Sequence, residues 1–307
     1  MEDFLQKHRR TAGALLTMLG GLGWGVSGTC GQYLFTQKGV TSFWLVPIRL
    51  LTAGVLLLCF SGAAGGAKAL LAPWREKRDR HELLIYGLAG ITLCQLTYFG
   101  TIELSSAGVA TILQSLSPLP ILLCGCAAAH RRPAFRELFS ILLALLGVGL
   151  IVTNGSLAAM SVSPAALGTG LICALTVTIY NVIPGRLLWR YPAPLLQGWS
   201  FLMGGVLLSL LFRPWRYAVH IDLGLILAFC AVVLLGNVLA FNAYMTGVKL
   251  IGPEKGILYG FSEPVIAAVL SSLWLGTPFT VWEAAGFGCI FAMLALLSRP
   301  EDGRAAE

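Results

Sequence analysis

Glu263 is a carboxylate within a long apolar stretch, and its position suggests chemistry. It lies directly before Pro264 in the sequence GFSEP, residues 260–264. A charged side chain at the centre of a bilayer costs about 2.5–3.5 kcal/mol on insertion scales, so such residues face a cavity or a partner. We therefore predict that Glu263 binds a proton or a cationic group of a solute and that its protonation is coupled to transport. The alternatives are a position near the membrane surface and a structural ion pair with Arg49.

Arg49 is the one strong base that lies away from the ends of an apolar segment, and its planar fork of donors suits a carboxylate. The alternatives are a structural pair with Glu263 and extension of the side chain toward one membrane face. Pro264 has no backbone N–H, so a carbonyl one turn earlier, near Gly260, is expected to be free and to line a cavity.

Aromatic and amide side chains inside apolar segments complete the candidate site. Aromatic walls suit an amphipathic or aromatic ligand or a quaternary ammonium, and amides can bind a zwitterion without adding net charge. Core packing and hydrogen bonds between helices are the alternatives. The predicted binding residues are Glu263, Tyr244, Tyr98, Trp24, Trp199, Asn242, Tyr259, Asn181, Gln114 and Arg49.

The composition indicates a protein whose surface faces lipid. Of 307 residues, 57% are apolar and only 11% are charged, whereas soluble proteins carry roughly 25% charged residues. The net charge of +7 lies in short loops, so we do not interpret it as nucleic-acid binding. The eight cysteines all fall in apolar runs and are predicted to pack as small apolar residues, without disulfides or a metal site.

Ten apolar segments are long enough to cross a bilayer, which requires roughly 20 residues each. We therefore predict an all-α membrane protein with a cytoplasmic tail at 1–10, five helices within 11–153, five within 164–298 and a second tail at 299–307. The ten predicted spans are residues 11–36, 42–61, 82–101, 105–129, 134–153, 164–184, 193–212, 222–247, 254–275 and 279–298.

The distribution of basic residues predicts the orientation of these spans. With ten spans, 17 of the 21 Lys and Arg residues fall on the side that holds both termini and three fall on the other side, Arg49 being the remaining one. Basic residues are concentrated in cytoplasmic loops. Both termini are therefore predicted to be cytoplasmic.

An internal repeat relates the two halves. The stretch from Tyr98 to Pro118 matches the stretch from Tyr244 to Pro264 at a shift of 146 residues, mostly in residue class rather than in identity. Five spans is an odd number, so the halves must lie upside down relative to each other. Inverted repeats of this kind are typical of transporters that alternate between two conformations.

The combination of features resembles a known family. Ten spans in two halves, GWGVSG at 23–28, Arg49 in the second span, the Ser-Pro pair at 117–118 and GFSEP at 260–264 are similar to the drug/metabolite transporter superfamily and its EamA-type group of bacterial inner-membrane carriers. The resemblance covers about residues 12–298. It implies a carrier of amino acids, other metabolites, sugars conjugated to nucleotides, or drugs.

We therefore expect a secondary active transporter in the bacterial inner membrane, with export as the favoured direction and import or exchange as alternatives. No GxxxxGK[ST] loop occurs, so ATP is not expected to drive it directly. An enzyme is not expected, because the four histidines lie outside the spans and no span holds two acids away from its ends. The expected partners are a small-molecule substrate and the lipid bilayer, with no cofactor, no nucleic acid and a monomeric state favoured over an oligomer. A receptor role is the remaining alternative.

Overall fold

The computed structural model is helical and describes residues 2–105, 107–153, 155–156, 163–275 and 280–298. No β-strand occurs within these ranges. The first eight helices are α1 (Glu2–Lys38), α2 (Ser42–Leu70), α3 (Ala72–Arg75), α4 (Lys77–Leu84), α5 (Leu93–Leu104), α6 (Ala107–Gln114), α7 (Pro118–Ala128) and α8 (Phe135–Thr153). The next eight are α9 (Pro164–Val182), α10 (Gly185–Arg190), α11 (Ala193–Phe212), α12 (Leu223–Ala231), α13 (Phe241–Ile251), α14 (Pro253–Tyr259), α15 (Ser262–Leu275) and α16 (Val281–Ser298).

Many of these helices carry apolar side chains on their outer as well as their inner faces. Within the described ranges, five helical stretches are long and apolar enough to cross a membrane: Ser42–Arg75, Lys77–Leu104, Pro164–Val182, Ala193–Phe212 and Leu223–Ile251. Exposed leucines and phenylalanines cover the outside of the bundle. Such a surface is stable in lipid and would be unfavourable in water.

Helices extend beyond the predicted spans at two places. α1 begins at Glu2, within the segment predicted as a tail, and much of the segment at 62–81 between two predicted spans is helical. In that segment α2 turns at Gly66, whose φ of 74° is readily adopted only by glycine. Residues 154 and 157–162, between the two predicted sets of five helices, and the predicted tail at 299–307 lie outside the described residues.

Two predicted spans are broken in the middle, which the apolar pattern did not reveal. One break, at residues 115–117, separates α6 from α7, and the other, at residues 260–261, separates α14 from α15. Pro118 opens α7 and Pro264 lies in the first turn of α15. Proline is tolerated in a first helical turn but disrupts a helix interior, so each break precedes its proline.

Two π-helical stretches occur at matching positions in the two parts of the chain. Ile85–Thr92 joins α4 to α5, and Val232–Ala240 joins α12 to α13. Their first residues lie 147 positions apart, close to the repeat shift found in the sequence. π-helical turns are rare and often lie near functional sites.

Helix packing follows the same correspondence. α1 packs on α13, α14, α15 and the second π-helical stretch, whereas α9 packs on α5, α6, α7 and the first. α2 packs on α11, and α8 packs on α16. The contacts of α1 with the second part of the chain therefore correspond, helix by helix, to the contacts of α9 with the first part.

Ion pairs join the two parts of the chain at both ends of the bundle. At the end where α1 finishes, Lys38 Nζ lies 2.5 Å from a carboxylate oxygen of Asp222. At the other end, the fully buried Asp79 accepts hydrogen bonds from Arg186 and from the hydroxyl of Tyr191, and its other ion-pair partner, Arg190, lies at 2.8 Å. The second group is larger and more buried than the single Lys38–Asp222 pair.

The cysteines do not all pack in the core as predicted. All eight are free. Cys30, Cys94, Cys126 and Cys173 are buried, as predicted, while Cys59, Cys124 and Cys230 lie on the exposed apolar surface. The exposed ones sit on helices whose outer faces are also apolar, so sequence alone could not separate the two groups.

Candidate functional site

Glu263 lies deep in the bundle and is held by donors from two other helices. It is 4% exposed and occupies the first turn of α15. The hydroxyl of Tyr98, on α5, donates to Oε1 at 2.7 Å, and the amide of Gln114, on α6, donates to Oε2 at 3.3 Å. A carboxylate in the first turn of a helix is also favoured by the helix dipole. The site therefore joins α15 to α5 and α6.

The prediction that Pro264 frees the Gly260 carbonyl is wrong. The backbone N–H of Glu263 donates to that carbonyl at 3.0 Å. The helix has already been interrupted at residues 260–261, so Pro264 lies in the first turn of a new helix and not in the interior of a long one.

Glu263 and Arg49 line the same small cavity. Trp24, Ser27, Phe99, Tyr180 and Phe241 also line it, as do Cys94, Gln95, Tyr98 and Gln114. Its volume of about 30 Å³ is enough for about two water molecules. An organic solute would need the surrounding helices to move apart.

Arg49 is buried but does not pair with Glu263. Its side chain is 2% exposed, and Nη2 donates to Oε1 of Gln95. Its guanidinium carbon lies 3.9 Å from the centre of the Phe99 ring, a cation–π contact. The alternative of a structural ion pair is not found: among the ion pairs of the described residues, none joins an Arg49 nitrogen to a Glu263 oxygen within 4.0 Å. Nε and Nη1 have no hydrogen-bond partner in the described part of the chain.

A second layer of predicted residues supports the cavity wall. The indole N–H of Trp24 donates to the Gly236 carbonyl at 3.1 Å, and the Trp24 ring lies 4.7 Å from the ring of Tyr244. The Tyr244 hydroxyl donates to Oδ1 of Asn181 at 2.7 Å. Tyr244 and Asn181 are thus buried behind the cavity and hold it in place.

Three predicted site residues lie elsewhere. Trp199 donates to the Leu70 carbonyl at 2.9 Å, near one end of the bundle. Asn242 donates to the Val238 carbonyl of its own helix at 2.6 Å, and neither Asn242 nor Tyr259 lines the cavity described above. Their mid-span positions gave no information on which helix face they occupy.

The predicted binding residues do not include six side chains that line the cavity: Ser27, Cys94, Gln95, Phe99, Tyr180 and Phe241. A signal was present on α5, because Cys94, Gln95, Tyr98 and Phe99 are related by spacings of three and four residues, which place side chains on one face of a helix. Once Tyr98 is selected, helical spacing also identifies the other residues on the same face of α5.

The apolar helices, the two breaks and the buried polar cavity between them define a membrane transporter. Discontinuous helices that meet near the middle of the bundle are a known way of building a transport site. The chain belongs to the EamA-like transporter family, because the family model matches residues 11–153 and again residues 165–299.

Known proteins agree with this assignment. The chain is 36% identical over 293 residues to the uncharacterized inner membrane transporter YicL of Salmonella typhimurium, covering 95% of this chain and 97% of that protein. An uncharacterized transporter, YyaM of Bacillus subtilis, is 23% identical over 81% of this chain and 80% of its own length. These findings place the protein among multi-pass inner-membrane proteins.

A solved crystal structure has the same fold. It superposes with a TM-score of 0.76 at 19% identity, over 94% of this chain and 96% of the other. At this level of identity, the likeness concerns the fold alone.

Proposed function

We propose that the protein is a secondary active transporter that exports small organic solutes by alternating access around the cavity between Glu263 and Arg49. One observation carries the proposal: a carboxylate and a guanidinium, both more than nine-tenths buried, line one cavity without pairing with each other. Burying two charges is costly unless they gain partners. A solute that supplies the missing partners would offset this cost.

The proposed scaffold has ten membrane-crossing segments in two inverted halves, residues 11–153 and 164–298, with both termini in the cytoplasm. Three observations support it: the exchange symmetry of the helix contacts, the matching π-helical stretches and the matching helix breaks. The excess of basic residues on one side supports the orientation. Two such halves can exchange conformations, which gives two arrangements related by a pseudo-two-fold axis in the membrane plane, and this is how inverted repeats give alternating access.

The proposed solute is a zwitterion with an apolar or aromatic body, such as an amino acid. The unpartnered nitrogens of Arg49 suit a carboxylate, and Glu263 suits an ammonium group. The rings of Trp24, Phe99 and Phe241 supply the apolar wall. Because the cavity now has room for only about two waters, binding is proposed to accompany an opening of the helices.

Transport into proteoliposomes tests the proposal. Purified protein would be reconstituted as a monomer and offered a radiolabelled panel of amino acids, choline and neutral sugars. We expect uptake of at least one zwitterion, and loss of that uptake in Glu263→Gln and Arg49→Lys variants that retain the wild-type melting temperature. Comparing right-side-out with inside-out vesicles would measure the direction.

A matched tryptophan pair provides the control. Trp24 and Trp199 each donate an indole N–H to a backbone carbonyl, but only Trp24 lines the cavity. Trp24→Phe should raise KM for the solute, whereas Trp199→Phe should leave it unchanged. Equal effects of the two substitutions, or normal uptake by the Glu263 and Arg49 variants, would refute the proposed site.

A further inference from the structure

A second cavity lies where the two helix breaks meet, and Arg49 is not among its lining residues. It borders Ser115 and Ser117 at the first break and Gly260 and Phe261 at the second, and Glu263 lines both cavities. Its volume is about 20 Å³, enough for one water molecule or a small ion and too small for an organic solute.

The hydroxyl groups around this cavity present acceptor lone pairs. Thr111 Oγ1 donates its proton to the Ala107 carbonyl at 2.7 Å, and Ser115 Oγ donates its proton to the Thr111 carbonyl at 2.6 Å. A hydroxyl oxygen has one proton and two lone pairs, so each of these groups has used its donor and kept acceptor capacity.

Glu263 and Ser117 add to this acceptor set. Each carboxylate oxygen of Glu263 accepts one hydrogen bond, from Tyr98 or Gln114, and retains further lone-pair sites. Ser117 Oγ is fully buried, lines the cavity and has no hydrogen-bond partner among the described residues. A buried hydroxyl without a partner costs about 1–3 kcal/mol, which a bound ion or water would relieve.

We propose that this cavity binds a small monovalent cation, Na⁺ or a hydronium ion, beside Glu263, and that this ion is the one coupled to transport. The proposal rests on the proposed transport function and identifies its coupling site. A cation suits the site because the available groups are oxygen acceptors and one of them is a carboxylate. A divalent ion is disfavoured, because sites for Ca²⁺ and Mg²⁺ usually combine more carboxylates or phosphates than the one acid here.

Ser117 also occupies the position that the internal repeat pairs with Glu263. The cation site therefore combines equivalent residues of the two halves, one neutral and one acidic. A site shared in this way would sense any relative movement of the two breaks.

Thermal unfolding of the full-length protein in detergent, without solute, tests the proposal. In the first arm, Tm is measured in increasing NaCl and in N-methyl-D-glucamine chloride of equal ionic strength. A cation that binds the folded state raises Tm by mass action. In the second arm, Tm is measured as a function of pH in N-methyl-D-glucamine chloride alone. The first arm detects Na⁺, and the second detects a hydronium ion or proton.

Ser117→Ala is the test variant and Ser140→Ala is its matched control. Ser140 Oγ is also fully buried and unpartnered within the described residues, but it lies on α8, away from the cavity. If Na⁺ is the cation, Ser117→Ala should need about tenfold more NaCl for the same rise in Tm, as expected for the loss of one contact to a charged group. If the proton is the cation, the midpoint of the pH dependence should move in Ser117→Ala alone.

Ser117→Thr keeps the protein testable if the alanine variant does not fold. It retains the hydroxyl and adds a methyl group to a space of about 20 Å³, so it should also weaken the cation effect. Identical NaCl and pH responses in the Ser117 variants and in Ser140→Ala would overturn the cation site. Because the unfolding experiment contains no solute, a missing cation response would leave the transport proposal standing. An intact cation response without solute uptake would instead refute the transport proposal.

Discussion

Two buried tyrosines allow the charge on Glu263 to be tested by one chemical change. The Tyr98 hydroxyl donates to a Glu263 oxygen at 2.7 Å, and the Tyr244 hydroxyl donates to the Asn181 amide oxygen at the same distance. Both tyrosines are buried. Tyr98→Phe and Tyr244→Phe therefore remove the same O–H group, and the two acceptors differ in charge.

The expected magnitudes follow from that difference. A hydrogen bond to a charged group contributes about 1.5–3 kcal/mol, and a neutral one contributes about 0.5–1.5 kcal/mol. Tyr98→Phe should therefore destabilise the folded protein by about 1–2 kcal/mol more than Tyr244→Phe. Lowering the pH until Glu263 is protonated should shrink the difference, because the acceptor then becomes neutral.

The assay is unfolding in mild detergent, followed by tryptophan fluorescence in denaturant at several pH values. A double-mutant cycle with Glu263→Gln isolates the pair. In the Glu263→Gln background, Tyr98→Phe should cost no more than Tyr244→Phe does in the wild-type chain. Equal losses for the two tyrosines at neutral pH, with no pH dependence, would show that Glu263 carries no charge in the folded protein and would refute the reasoning.

Three further predictions concern the scaffold. Gly21→Ala would place a Cβ 2.2 Å from a hydroxyl oxygen at the start of α15 and should lower the free energy of unfolding by about 1–3 kcal/mol. Gly100→Ala is the control, because a Cβ there would have nothing within 4 Å and should leave Tm unchanged. Equal Tm values for the two variants would contradict the close packing at Gly21. Asp79→Asn weakens a fully buried set of charged hydrogen bonds and should lower the free energy of unfolding by about 1.5–3 kcal/mol in the same denaturant assay. A smaller loss than that caused by Asp222→Asn would contradict the greater importance of the buried Asp79 group. The hydrogen bond from Lys38 holds the pKa of the Asp222 carboxyl below its ordinary value. The pair therefore stabilises the fold fully above about pH 3.9, the ordinary pKa of an aspartate. This contribution disappears as the pH falls through the lower pKa of the folded state. Asp222→Asn should remove that part of the acid sensitivity in melts between about pH 6 and pH 3.

Residue type and position within apolar segments were enough to select two side chains that lie together. Glu263 was selected as an acid inside an apolar segment and Tyr98 as an aromatic inside another, and the structure brings them into contact. Gln114 was selected as a buried amide and lies beside them. Hydropathy located most of the helices because each must be apolar over roughly 20 residues.

Other features depend on contacts that a linear pattern does not contain. Arg49 was expected to meet Glu263 or a solute, but Gln95 and Phe99 lie closer, since α2 packs along α5. The helix breaks were hidden because Ser and Gly at residues 115–117 and 260–261 hardly lower the mean hydropathy of their segments. The contact of Trp199 with the Leu70 carbonyl could not be predicted, because a mid-span aromatic can face a neighbouring helix as readily as a cavity.

The π-helical stretches determine which side chains of their helices face the cavity. A π turn has wider hydrogen-bonded rings than an α turn, so every residue after it is rotated relative to an uninterrupted α-helix. Deleting one residue within Ile85–Thr92 would turn the rest of that helix by about 100° and carry Tyr98 away from Glu263. A single deletion in Val232–Ala240 would carry Tyr244 away from Asn181 in the same way. Chain length alone, with no change of side chain, would thus change which side chains face the cavity.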